Sequence, residues 1–382
     1  MNSLDSVDSP WGITVSQYLA AGPRYRLSEQ IKMIHDQSAN RVTQTSMEGF
    51  LAPTTDITPL SSLIDLLLLA QSPKGLSGFC NTGIIPACMR VLKQYVQDYN
   101  KAFDRTYGLL CLDLLSITIQ VGILAQCERF RSLIKTLGAK KLHGPEVISK
   151  IEDETAKSIS NALCAQDPHL ELRRILGWNH NQTFFPLCGG LNKNNIRFVL
   201  DLLAEDESTF LRLGLSCLAP RYLSIVFVLW QGLCSLEVRG NVTKATWAQL
   251  YSLVHRYHLY APSSEVLILQ KIGFHVEGKK DEGSQRWSDG KLDAVDSRRI
   301  IQAYIDLLNS NISNAERLPI IFATCFYDFA FHSFTEDIED LAPGLVEASM
   351  IRLWAEFEDN GPMLPRITWV VRYAAHTFQW AE

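Results

Sequence analysis

The sequence predicts an all-α protein, an irregular array of antiparallel helix pairs. Three observations lead there. Long leucine-rich runs recur along the chain, separated by short clusters of Pro, Gly, Ser or Asn. Prolines stand just before or within the first turn of such runs, at Pro59, Pro86, Pro145, Pro168, Pro220, Pro262 and Pro343. A first-turn proline loses no helical hydrogen bond, so this placement starts helices. Period-two alternation, the mark of a half-buried strand, is rare.

Taken in order, helices are expected over 13–21, 26–38, 58–71, 84–99, 106–127, 129–137, 145–166, 169–177, 194–213, 220–237, 244–258, 263–271, 295–310, 317–332, 335–341, 343–358 and 365–380. Thr58 before Pro59 and Asp167 before Pro168 are natural N-caps. One hairpin is allowed, between "GFHVEG" (273–278) and "SQRWSDG" (284–290). The polar stretch around it reads as an exposed loop. The expected organisation is an N-terminal helical segment (1–57), a main array (58–276), a polar loop (277–293) and an acidic C-terminal unit (294–382).

Two helices are apolar nearly all round. In 60–70 only Ser61, Ser62 and Asp65 interrupt the leucines; in 107–125 Asp113, Ser116 and Gln120 fall at i, i+3 and i+7, a narrow wet stripe. Such helices must be covered on several sides. A membrane span is not expected. Tyr222 to Ser235 is short of the roughly 20 residues a span requires. The longer run after Tyr107 carries Asp113 near its middle, at a cost of about 2.5–3.5 kcal/mol in a bilayer.

The stretch "GFCNTGIIPACMRVL" poses the question of a phosphate loop. At about 100° per residue, Ile85, Cys88, Met89, Leu92, Tyr95, Val96 and Tyr99 share one face, and Arg90, Lys93, Gln94, Gln97 and Asp98 the other. No lysine follows the last glycine as GxxxxGK[ST] demands, so a packing helix accounts for the run. "GLVEASM" from Gly344 repeats "GIIPACM" from Gly83, aligning Ile85, Met89, Leu92 and Val96 with Val346, Met350, Leu353 and Phe357. A looser copy places Ile196, Leu200 and Leu203 on one stripe.

With "NTGIIPACMRVL" followed by "RTYGLLCLDLLSITI", residues 58–127 resemble the junction between armadillo repeats. The resemblance implies an armadillo- or HEAT-like α-solenoid that binds other proteins along a concave surface. No regular period of about 40 residues runs through the chain, and the groove asparagines of the best-known armadillo proteins are missing, so no groove residue is carried over. The helix-rich texture is also similar to that of uncharacterised fungal all-helical proteins, a likeness that implies no activity.

Composition narrows the function. The chain has 382 residues, 47% hydrophobic and 20% charged, with net charge −5. That is a foldable balance and not the basic excess of a nucleic-acid binder. The nine cysteines never form CxxC, and the start "MNSLDSVDSPWG" has no apolar signal region. Free buried thiols in a reducing cytoplasm or nucleus are the plain expectation. From Asp328 to Asp359 there are nine acidic residues and one basic, leaving +3 for the rest. Arg129, Arg131, Lys135, Lys140 and Lys141 gather around one short helix. An acidic face could dock a basic partner, and the basic cluster an acidic one; both could equally be solvated faces.

Three places could carry chemistry. Asp328 and His332 lie at i, i+4, able to face a metal or act as a base pair, or simply to bond one another inside a nest of phenylalanines. The "SFTE" after them (Ser333–Glu336) reads as a capping box. His255 and His258 end a predicted helix, where the dipole favours imidazole; a zinc reading would need Glu265 or His275 as a third ligand. The loop "GWNHNQTFFPLCGG", with Trp178, Asn179 and His180, is the best ligand-lining candidate. No G-x-S-x-G, HExxH or dinucleotide motif occurs. The expectation is a non-enzymatic protein-interaction scaffold or adaptor with a protein partner, no cofactor, no metal, no nucleic acid and no transmembrane span. The alternatives are a helical enzyme or small-ligand binder using Asp328/His332 or the 177–190 loop, and a peripheral membrane protein.

Overall fold

The structure, a computed structural model, describes residues 11–21, 47–52, 57–80, 83–99, 101–177, 191–216, 221–238, 240–279, 293–309, 329–330 and 333–360. Among these residues the chain is all-helical and has no strand; one isolated bridge pairs Thr14 with Arg105. The chain packs into two compact units, Met1–Val242 and Thr243–Glu382.

The first unit contains α1 (Val15–Ala21), α2 (Leu60–Ala70), α3 (Pro73–Leu76), a 3-10 turn (Ser77–Cys80), α4 (Ile84–Asp98), α5 (Thr106–Gln126), α6 (Phe130–Ala139), α7 (Pro145–Leu163), α8 (Pro168–Ile175), α9 (Lys193–Glu205), α10 (Glu207–Leu215) and α11 (Leu223–Glu237). The second contains α12 (Lys244–His258), α13 (Ser263–Glu277), α14 (Ala294–Asn309), a 3-10 turn (Glu336–Leu341) and α15 (Ala342–Asn360).

α5 is the centre of the first unit. From Thr106 to Leu124 every residue but Asp113 is buried. An all-round apolar helix can be hidden only by neighbours on every side, and α5 packs against α2, α4, α6, α7, α8, α11 and the Ser77–Cys80 turn. It is also the one described helix long and apolar enough to cross a membrane, with mean hydropathy 2.0 and 89% of that window buried inside the fold. Its first turn has no side-chain cap at Arg105. Instead the N-terminal segment supplies carbonyls: Thr106 N–H donates to Ile13 O at 2.9 Å and Tyr107 N–H to Trp11 O at 3.3 Å. Trp11 then packs edge-on against Tyr107 at 4.8 Å and Tyr95 at 5.4 Å between centroids.

Several expected features meet a correction. The helix expected over 194–213 breaks at Asp206, whose φ of −127° leaves the helical region. Its carboxylate instead accepts the N–H of Phe103 at 3.0 Å, inside the core. Pro59, not Thr58, is the N-cap of α2, and the Thr58 carbonyl accepts the hydroxyl of Tyr107 at 2.9 Å. Asp167 does cap α8, accepting from Leu170 N–H at 3.1 Å. Residues 273–277, half of the expected hairpin, are the last turns of α13, with Gly273 buried inside the helix. The partner 284–290 and the helices expected at 26–38 and 365–380 lie outside the described residues, as does 317–332 apart from 329–330.

The α4 stripe is buried through Ile85, Cys88, Met89, Leu92 and Tyr95, and the α9 stripe through Ile196, Leu200 and Leu203. Its echo in α15 holds in part. There Leu345, Ala348, Ser349 and Arg352 are buried, matching buried Ile84, Ala87, Cys88 and Val91 of α4, whereas Met350, matching buried Met89, is exposed. The side chains of Leu353 and Phe357 lie outside the described ones. The capping box at Ser333–Glu336 is not formed: Ser333 Oγ donates back to Phe329 O at 2.8 Å, and Thr335 stands at the N-cap position without a side-chain bond.

Two glycines make a paired prediction. A Cβ on Gly108 would sit 2.0 Å from the Ala102 carbonyl oxygen, whereas one on Gly138, in α6, would meet nothing within 4 Å. Gly108→Ala should therefore destabilise by roughly 1–3 kcal/mol through forced backbone movement. Gly138→Ala should stabilise by about 0.5–1 kcal/mol. Urea melts of the two variants check the opposite signs.

Candidate functional site

Chemistry-bearing side chains collect in three places, two buried and one on the surface. In the second unit, α12 begins at Thr243, whose hydroxyl accepts Thr246 N–H at 3.2 Å. Its last two turns bury Tyr251, Ser252, His255, Arg256, Tyr257 and His258. Arg256 is 0% exposed and pairs with Asp296, 3% exposed, at 2.8 Å. Asp296 lies in the first turn of α14, where the helix dipole favours an anion. Arg256 Nε also donates to Ser252 Oγ at 3.3 Å, and the Tyr257 hydroxyl donates to Glu265 of α13.

Both histidines are buried packing groups, and His258 is held neutral. His255 Nδ1 lies 2.9 Å from the Tyr251 carbonyl, which can only accept, so that nitrogen carries the proton. Burial, reinforced by His255, pushes His258 down to about 3. The helix-dipole explanation is therefore replaced: an imidazole kept neutral gains nothing from a C-terminal dipole. The zinc set does not assemble either. Glu265 is engaged by Tyr257, and exposed His275 sits against Trp247 at 5.9 Å between rings. Among the described residues no three His, Cys, Asp or Glu side chains are grouped to hold a metal ion.

In the first unit the expected wet stripe of α5 is an internal polar seam. Ser116 Oγ donates to Arg221 O at 3.1 Å and lies 3.1 Å from Ser224 Oγ. Gln120 Nε2 lies 3.2 Å from Ser116 Oγ. Tyr222 donates its hydroxyl to Asp113 Oδ1 at 2.8 Å. Arg221 donates its backbone N–H to Glu152 Oε1 at 3.0 Å and a guanidinium N–H to Asp153 Oδ1 at 2.8 Å. Glu152, on α7, is buried and also lies 3.4 Å from Arg221 Nε. These groups turn towards one another, and apart from the Gln120–Ser116 bond within α5 each hydrogen bond joins the entry of α11 to α5 or α7.

The third feature is on α6. Phe130, Leu133 and Leu137 bury one side of this amphipathic helix, and Arg131 and Lys135 stand exposed on the other. Lys140, Lys141 and His143 continue the exposed basic strip past its end. Lys74 is exposed on α3, which packs against α6. Arg129 turns aside to Glu154 at 3.9 Å. Among the described residues Arg131, Lys135, Lys140 and Lys141 have no ion-pair partner. On the second unit Glu336, Asp337 and Glu339 are exposed, and Asp340 is taken by both guanidinium nitrogens of Arg298 at 2.6 and 2.8 Å.

The site residues expected from sequence, Asp328, His332, Trp178, Asn179 and His180, lie outside the described residues. Arg256 and Asp296, the most deeply buried ion pair described, were not singled out. The usable signal was an arginine on the apolar side of a predicted helix, a position that demands a partner.

Two outcomes follow. Arg256→Met should cost about 3–5 kcal/mol by stranding the Asp296 charge, and adding Asp296→Leu should recover most of it, since an apolar pair of similar volume replaces a buried ion pair at little cost; chemical denaturation of both variants gives the comparison. His258 has a folded pKa far below its ordinary 6.5. Its stabilising share is complete above about pH 6.5 and is lost as pH falls towards about 3, because only the unfolded chain takes up that proton. His258→Gln should flatten the acid side of a Tm-against-pH curve in that window.

No protein-family model, no curated protein and no solved structure shows significant similarity to this chain.

Proposed function

We propose that the protein is a non-enzymatic interaction scaffold or adaptor, an irregular helical array of the armadillo or HEAT kind, that docks an acidic protein segment on the basic strip of α6. The observation that carries the reading is the uncommitted charge of Arg131, Lys135, Lys140 and Lys141 on one exposed run. Inside the fold the polar groups have internal work: Arg256 holds Asp296, Arg221 holds Glu152, and Tyr257 holds Glu265. An exposed sign-sorted strip steers an oppositely charged partner and fixes its register more than it adds raw affinity.

A direct test is capture of partners from native cells, with Arg131, Lys135, Lys140 and Lys141 all reversed to Glu. The reversed protein should lose its specific partner, and the wild-type complex should weaken with salt over the range set by a Debye length of about 10 Å at 0.1 M. Measured with the purified partner, the loss should be on the order of tenfold or more, about 1.4 kcal/mol. An unchanged set of captured proteins and an unchanged affinity would sink the reading. Reversal of exposed Glu336, Asp337 and Glu339 to Lys serves as the control and should leave capture intact.

A further inference from the structure

We propose that the junction of α5, α7 and the entry of α11 is a proton-dependent latch, closed while a proton is held on Asp113 or Glu152 and loosened when both are ionised, with the one guanidinium of Arg221 left to Glu152 and Asp153 and none for Asp113. The inference begins with a charge count. The Arg221 guanidinium is shared between Glu152, 3.4 Å from Nε, and Asp153, 2.8 Å from NH1. Asp113 receives only the Tyr222 hydroxyl. A phenol donor steadies a carboxylate but does not cancel its charge.

Among the described residues nothing else nearby supplies the missing cation. On α7, Lys150 reaches Asp153 at 3.7 Å but stands in solvent with its side chain 53% exposed. Lys157 and Arg129 are directed at Glu154. On α5 and α4 the neighbouring titratable groups are Cys111 and Cys88, whose thiols burial pushes up and so keeps neutral. From the α11 side come Arg221, Tyr222 and the hydroxyl of Ser224. Burial, opposed by the Tyr222 bond and reinforced by Glu152, pushes Asp113 up to about 8. Burial, opposed by Arg221, pushes Glu152 up to about 7.

Both folded values lie above the ordinary carboxylate range, so the folded state holds the proton more tightly than the unfolded chain. The latch is therefore fully closed at low pH and loses stability as pH rises towards about 8, where the proton leaves Asp113 for bulk water. The part that lets go is the start of α11. It is tied to α5 by Ser116 and Tyr222 and to α7 by Arg221, and the Tyr222 and Arg221 ties run through the carboxylates.

Backbone hydrogen exchange across α11, corrected for intrinsic chemical rates, reads the latch in the full chain. Protection in its first turns should fall about tenfold or more between about pH 6 and pH 9, the free-energy equivalent of one pKa unit. α9 serves as the internal reference and should not follow. Asp113→Asn should remove the dependence near pH 8 and leave only the part that Glu152 contributes near pH 7, keeping α11 better protected at high pH than in the wild type. Tyr222→Phe removes a bond that favours the charged carboxylate, so the midpoint should move to higher pH. If α11 in Asp113→Asn opens with pH as the wild type does, or if Tyr222→Phe leaves the midpoint in place or lowers it, the latch is wrong. A purely structural seam predicts a uniform loss of protection in Tyr222→Phe with no shift of midpoint.

Discussion

Enclosing α5 is the constraint on which the first unit depends. A helix of 21 residues with apolar side chains around its whole circumference has no face to give to water. Each buried leucine or isoleucine contributes about 1.5–3 kcal/mol when covered, so the neighbours are drawn in from every direction. Other features follow from that enclosure. Gly108 lets the Ala102 carbonyl pass against α5, and Gly232 of α11 makes room for Ile196 of α9. The few polar groups on α5 must find partners in the packing layer, which is why Asp113, Ser116 and Gln120 all point at the residues that open α11.

The two units solve the problem of buried charge differently. In the second, one guanidinium meets one carboxylate and His258 stays neutral, so the Arg256–Asp296 pair carries no net charge. In the first, acids outnumber the base, and protonation must make up the difference. A balanced pair resists change in pH; an unbalanced cluster responds to it.

Helix existence was written plainly in the sequence. The ends of α4 and α12 and the entry of α8 follow from periodicity, first-turn proline and an aspartate cap, all of which are local signals. What escaped was decided by distant partners. Asp206 breaks a continuous apolar pattern because Phe103, about a hundred residues earlier, offers it an N–H. The 273–278 stretch allowed a strand because nothing local reveals that it completes α13, which packs against α12. The partial echo in α15 has the same origin: spacing alone gives an amphipathic stripe, but its inward edge is set by what packs there, and Ala348, Ser349 and Arg352 are buried while Met350 is exposed. Of the surface, the basic run of α6 was legible, since a charge cluster on a short amphipathic helix needs no partner to be seen. The Arg256–Asp296 pair was not, because its members are 40 residues apart and meet only through the fold.

The strap formed by Trp11 and Ile13 has a consequence for the order in which the protein is made. These residues leave the ribosome before the helices they serve: their carbonyls accept from Thr106 and Tyr107, and Trp11 packs on Tyr95 and Tyr107. At about 5–20 residues per second, the indole waits several seconds for its aromatic partners to be synthesised. The strap carbonyls are ready before the first turn of α5 exists to use them. The strap thus finds its place only once the helix it serves has been made.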